Sequence, residues 1–137
     1  CRRILEHFSL TPYFDEIVGS TLDGSISTKQ QVLEELGRRM EHMQITKDQM
    51  CLIGDTEYDV IGADQFGIRC IGVSYGFGKR ELLERAGAYC VCDNMAAVLN
   101  SGRSFIRLAF IMLCRALCTS YWDFFWGMGN RPICCVS

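Results

Sequence analysis

Along this chain, short apolar runs of strand length alternate with segments whose apolar residues recur at helical spacing. Residues 2–8 place Ile4, Leu5 and Phe8 on one helical face, and Thr11-Pro12 supplies a stop. A short strand is expected within 14–19, around Ile17 and Val18, followed by an Asp23-Gly24 turn and a Ser/Thr-rich stretch. Val32, Leu33, Leu36 and Met40 give a long helix over 29–43 its apolar stripe. The pattern then predicts strand 50–53, helix 58–66, strand 70–74, helix 79–86, strand 89–91 and helix 95–99. Near-continuous apolar strands are those covered on both faces. Their strict alternation with helices predicts an α/β fold, a Rossmann-like parallel sheet flanked by helices.

The pattern breaks at about residue 100, which divides the chain into a 1–100 core and a 101–137 tail. The tail has no lysine or glutamate, and aromatics and cysteine crowd it, as in Tyr121-Trp122-Asp123-Phe124-Phe125-Trp126. Three readings stand open. A membrane helix over 105–126 has the length, but Arg107, Arg115 and Asp123 would each cost roughly 2.5 to 3.5 kcal/mol near the bilayer centre, so no membrane is expected. An amphipathic helix is favoured by Ile106, Phe110, Leu113 and Leu117 at helical spacing. A frameshift or read-through, giving a non-native tail, is the third.

Composition narrows the function classes. The 137 residues are 49% apolar and 22% charged, as in a globular domain. A net charge of -2 leaves no basic footprint, and Arg38-Arg39 shares its helix with Glu34, Glu35 and Glu41, so no nucleic-acid partner is expected. Nine cysteines in no motif-like spacing do not describe a disulfide framework, and Cys51, Cys70 and Cys90 sit in apolar runs as buried thiols do. Cys90-Val91-Cys92 and Cys134-Cys135 lack zinc-ligand spacing, so no zinc is expected. The opening Cys1-Arg2-Arg3-Ile4 begins no signal peptide, which favours a cytoplasmic location. The first residue is not methionine, so the reading frame is expected to extend upstream.

The candidate chemistry lies in Gly54-Asp55-Thr56-Glu57-Tyr58-Asp59, where an apolar strand ends in two carboxylates four positions apart. Gly54 is expected to let the backbone turn, Asp55 to emerge at the strand's carboxyl end, and Asp59 to point back from the first helical turn. Such hard oxygen ligands suit Mg²⁺. The competing reading makes Asp55 an ordinary N-cap and Asp59 a solvated helix residue. Lys29 opens the long helix, where its ammonium and the helix dipole could together hold a phosphate, although a helix-start lysine is more often simply solvated. Gly76-Phe77-Gly78 lacks the dinucleotide-binding spacing and is read as a loop, either a plain strand-to-helix turn, the favoured reading, or one whose glycines let the chain pass close to the active-site edge.

In this order, Gly19-Ser20, Asp23-Gly24, Lys29, the Gly54–Asp59 turn with Gly62-Ala63, Gly67-Ile68 and Ile71-Gly72-Val73-Ser74-Tyr75-Gly76 resemble the haloacid dehalogenase-like (HAD) hydrolases, in their phosphoglycolate phosphatase-like branch. The resemblance covers about residues 1–100. It implies a Mg²⁺-dependent phosphatase acting on a small phosphorylated metabolite, phosphoglycolate-like or nucleotide-like, through an aspartyl phosphate. Lys29 is similar to the family's phosphate-stabilising lysine, and Asp55 and Asp59 to its metal-holding acids.

One departure is large. The family's first motif, a DxDxT-like strand end bearing the nucleophile, has no counterpart, because no two aspartates here are separated by one residue. Its second motif and its cap domain are missing as well. The chain is therefore expected to be the carboxyl-terminal part of a longer enzyme, inactive alone, with the strand at 50–53 left as an unpaired, association-prone edge. The alternatives are a non-catalytic α/β interaction module and, with less support, a receiver-like domain with Asp55 as phospho-acceptor. Substrate identity and oligomeric state are not legible.

Overall fold

The computed structural model describes residues 2–9, 11–21, 23–102, 109–113 and 133–136. Helices α1 (Arg2–His7) and α2 (Lys29–His42) flank strand β1 (Ile17–Gly19). Then come β2 (Met50–Gly54), α3 (Glu57–Phe66), β3 (Arg69–Val73), α4 (Arg80–Arg85), β4 (Cys90–Cys92) and α5 (Met95–Gly102), and finally β5 (Ala109–Leu113) and β6 (Ile133–Val136). The strands form one six-stranded sheet in the order β1-β6-β5-β2-β3-β4, and every pairing is parallel. The expected fold class is the one observed, with element ends shifted by a few residues at most between positions 2 and 102.

The period of two along a strand explains why both sheet faces must be covered. Met50 and Leu52 of β2 turn to one face, where they pack with Val32, Leu33, Leu36 and Met40 of α2 and Val60, Ala63 and Phe66 of α3. Cys51 and Ile53 turn to the other, joining Ile71 and Val73 of β3 and Met95, Val98 and Leu99 of α5. All five residues of β2 are buried. Helices α2 and α3 approach closely because Gly37 leaves room for Phe66, whose Cζ would lie 2.7 Å from a Cβ there. Gly67 closes α3 in the left-handed region at φ 83°, where a side chain is strained.

Two expectations for the later residues are corrected. Strand β2 is not an edge, since β3 pairs on one side and β5 on the other, with Ile53 opposite Met112. The association predicted from an open edge loses its basis. Residues 109–113 form a strand rather than part of an amphipathic helix; the remainder of that proposed helix lies outside the described residues. Ala109-Phe110-Ile111-Met112-Leu113 is apolar throughout, and such a short run fits either period until its neighbours decide. The proposed boundary at residue 100 thus precedes two strands that join the same sheet. Among the described residues, no helix is long and apolar enough to cross a membrane.

Cys51 and Cys70 are buried free thiols, whereas in β4 the inward position belongs to Cys92 and Cys90 is half-buried. Burial pushes the Cys51 thiol up to about 12 and moves Cys70 in the same direction. Both should therefore resist alkylation at about pH 8 while the chain is folded. Their folded values lie above the unfolded value of 9.0, so the stability they contribute is complete below that pH. It is lost as pH rises toward about 12, because the unfolded thiols ionise first. Mass-resolved alkylation with and without denaturant checks this. Equal labelling of Cys51 in both states would contradict it.

Candidate functional site

Strand β2 delivers Asp55 to the carboxyl edge of the sheet, and α3 starts two residues later with Thr56 as N-cap. Thr56 and Asp59 form a capping box, so the helix start draws the Asp59 side chain back onto the turn. Asp59 Oδ2 accepts from the Asp55 amide at 3.0 Å, the Thr56 amide at 2.9 Å and the Thr56 hydroxyl at 2.9 Å. Its other oxygen, Oδ1, accepts from Lys29 Nζ. Asp59 is 1% exposed, so it is no solvated helix residue. It is a buried tie between α2 and the acidic turn.

Lys29 reaches this position from the first turn of α2, whose start is fixed by a capping box between Thr28 and Gln31. Its stem passes over Gly62 of α3, where a Cβ would stand 3.3 Å from Lys29 Cδ. The lysine stem thus accounts for a glycine at position 62. Gly54 also acts differently from expectation. It does not adopt a positive φ. Its service is space, since a Cβ there would lie 2.3 Å from Asp59 Cβ.

The Asp55 carboxylate faces the Gly76-Phe77-Gly78 loop, whose close approach to the sheet edge the glycines suggested and whose partner the sequence did not name. Asp55 Oδ2 accepts from the Phe77 amide at 2.9 Å, and the Asp55 carbonyl accepts from the Gly78 amide at 2.8 Å. The flanking glycines are steric requirements. A Cβ on Gly76 would lie 2.2 Å from Asp55 Cβ, and one on Gly78 would lie 2.1 Å from the Asp55 carbonyl oxygen. The loop is tethered at its start as well, through the Ser74 amide to the Cys92 carbonyl at 3.0 Å and the Ser74 hydroxyl to Asp93. Two glycines around one aromatic, just after a strand, were the available signal. Only the fold shows that this strand lies next to the one bearing Asp55.

The structure thus brings Lys29, Asp55 and Asp59 together, but it gives the two acids unequal freedom. Both oxygens of Asp59 already hold donors. Asp55 is 4% exposed, and its Oδ1 makes no hydrogen bond among the described residues. No group of three or more His, Cys, Asp or Glu converges among the described residues. The remaining carboxylate, Asp55, is a donor that suits a cation such as Mg²⁺, which commonly takes one or two carboxylates and completes its shell with water and phosphate oxygens.

Fold and geometry define an open α/β domain whose sheet edge groups Lys29, Asp55 and Asp59. A family model described as HAD-hydrolase-like matches residues 30–98, which include Asp55 and Asp59. The chain belongs to the HAD-like hydrolases. Over 97 residues it is 33% identical to a 5'-nucleotidase of Pseudomonas aeruginosa, covering 71% of this chain and 42% of that protein. It is 24% identical over 96 residues to a phosphoglycolate phosphatase of Vibrio cholerae, covering 70% of this chain and 41% of the relative. Among solved structures, a predicted phosphatase from Clostridium acetobutylicum superposes with a TM-score of 0.62 at 48% identity, covering 74% of this chain and 45% of that one. The chain therefore spans less than half the length of the relatives it matches.

Proposed function

We propose that this chain carries the lysine and acidic-turn portion of a Mg²⁺-dependent phosphatase for a small phosphorylated metabolite, with the attacking aspartate supplied from outside it. The observation that carries this reading is Asp59, which holds Lys29 and the Asp55 turn in one rigid unit at the sheet edge. The relatives named for 5'-nucleotide and phosphoglycolate hydrolysis support the substrate class. The free thiols of Cys51, Cys70, Cys90 and Cys92 accord with a reducing, cytoplasmic setting.

In this reading, an aspartate oxygen forms a bond to phosphorus as the ester P–O bond breaks, and the departing alkoxide takes a proton to leave as an alcohol. Water then attacks phosphorus, releasing phosphate and regenerating the aspartate. Lys29 neutralises a phosphoryl oxygen, and Asp59 fixes where that ammonium stands. Asp55, with one oxygen tied by the Phe77 amide, offers the other to the cation. A bound Mg²⁺ supplies charge neutralisation at the phosphoryl group.

The test is turnover of p-nitrophenyl phosphate with Mg²⁺. The chain alone should show none above background, whereas joining it to an upstream segment bearing DxDxT should give activity that Asp55→Asn removes. Sustained turnover by the chain alone would refute an external nucleophile.

A further inference from the structure

Phe77 presents its ring to solvent at 80% exposure, although its own amide is bonded to the Asp55 carboxylate. With Gly76 and Gly78 on either side, Phe77 is the position in this stretch at which the loop can carry a side chain without striking Asp55. Tyr58, in the first turn of α3 between Thr56 and Asp59, is 70% exposed, and Tyr75, at the start of the same loop, is 40% exposed. These aromatics are not scattered over the surface. All three belong to the two segments that frame Asp55, the α3 start and the 74–79 loop. Exposed rings grouped beside a buried carboxylate are the composition of a ligand-site mouth, where a few polar groups fix one end of the ligand and aromatic faces take the rest.

We infer that Phe77, assisted by Tyr58, gives the site a preference for phosphate esters whose organic part is a flat ring, a nucleobase being the fitting class, over phosphate that carries no ring. The inference rests on the phosphate-site reading above and adds to it the recognition of the organic part. The division of labour in residue 77 is what makes it testable. Its amide holds Asp55 and its side chain is free to meet the ligand, so Phe77→Ala removes the ring and keeps the amide donor.

The experiment is calorimetric titration of the full chain, with Mg²⁺ present, by adenosine 5'-monophosphate and separately by inorganic phosphate. Stacking of one base on an aromatic is worth about tenfold or more in affinity. The wild-type chain is expected to prefer the nucleotide by about that factor. Phe77→Ala should bring the ratio of the two affinities close to one, and Phe77→Tyr should restore it. A ratio unmoved by Phe77→Ala overturns the specificity role while leaving the phosphate site standing. Failure of the wild-type chain to bind inorganic phosphate removes the site reading and this inference with it.

Discussion

Asp59→Ala is expected to lower the unfolding free energy by about 3–5 kcal/mol, the usual cost of removing one partner from a buried ion pair. The loss is large because two separate burdens fall on one residue. The partly buried Lys29 ammonium is left without its carboxylate, and two backbone amides at the Asp55-Thr56 turn lose their acceptor, one of them the Thr56 amide of the α3 capping box. Against a typical total of about 5–15 kcal/mol, this is enough to bring the fold near its limit. Asp59→Asn should fall between wild type and alanine, because it keeps an acceptor for the turn but not the charge for Lys29. A cycle with Lys29→Met should show strong non-additivity, since both substitutions dismantle the same contact. Urea unfolding at constant m measures it; an Asp59→Ala midpoint equal to wild type would contradict the role given to this carboxylate.

Gly78→Ala is expected to cost about 3 kcal/mol or more and to abolish cation binding at Asp55. The added Cβ would meet a backbone oxygen, the Asp55 carbonyl at 2.1 Å, which cannot swing aside as a side-chain tip can. The loop must lift, breaking both the Gly78 amide bond to that carbonyl and the Phe77 amide bond to the carboxylate. Gly76→Ala meets side-chain atoms of Asp55 and should be milder for stability while still turning the carboxylate. Unfolding curves together with Mg²⁺ titration separate the two variants. Wild-type stability and affinity in Gly78→Ala would show that the loop does not hold Asp55.

The sheet and its helices were legible between residues 2 and 102 because local signals agree there. Apolar runs of strand length, helix stripes such as Val32-Leu33-Leu36-Met40 and the Thr11-Pro12 stop point to the same elements. The pairing of β2 with β5 was not legible, since strand order is a long-range property and Ala109–Leu113 suits helix or strand by composition. At the site, the grouping of Lys29, Asp55 and Asp59 could be expected from order along the chain. The partner of each could not. That Asp59 spends both oxygens on protein donors, while Asp55 keeps one without a donor among the described residues, depends on how α2 and the 74–79 loop pack around the turn. Gly76-Phe77-Gly78 was legible as a loop, but its contact with Asp55 was not, because that contact comes from β3 lying beside β2.

The central claim is that Asp55 and Lys29 form a cation and phosphate site, and calorimetry of the full chain tests it most directly. Mg²⁺ should bind weakly by itself and more tightly with inorganic phosphate present, since the anion would supply oxygen ligands beyond the Asp55 carboxylate. Asp55→Asn should abolish the Mg²⁺ heat, and Lys29→Met should remove the enhancement by phosphate. Unchanged Mg²⁺ and phosphate binding in Asp55→Asn would contradict the account.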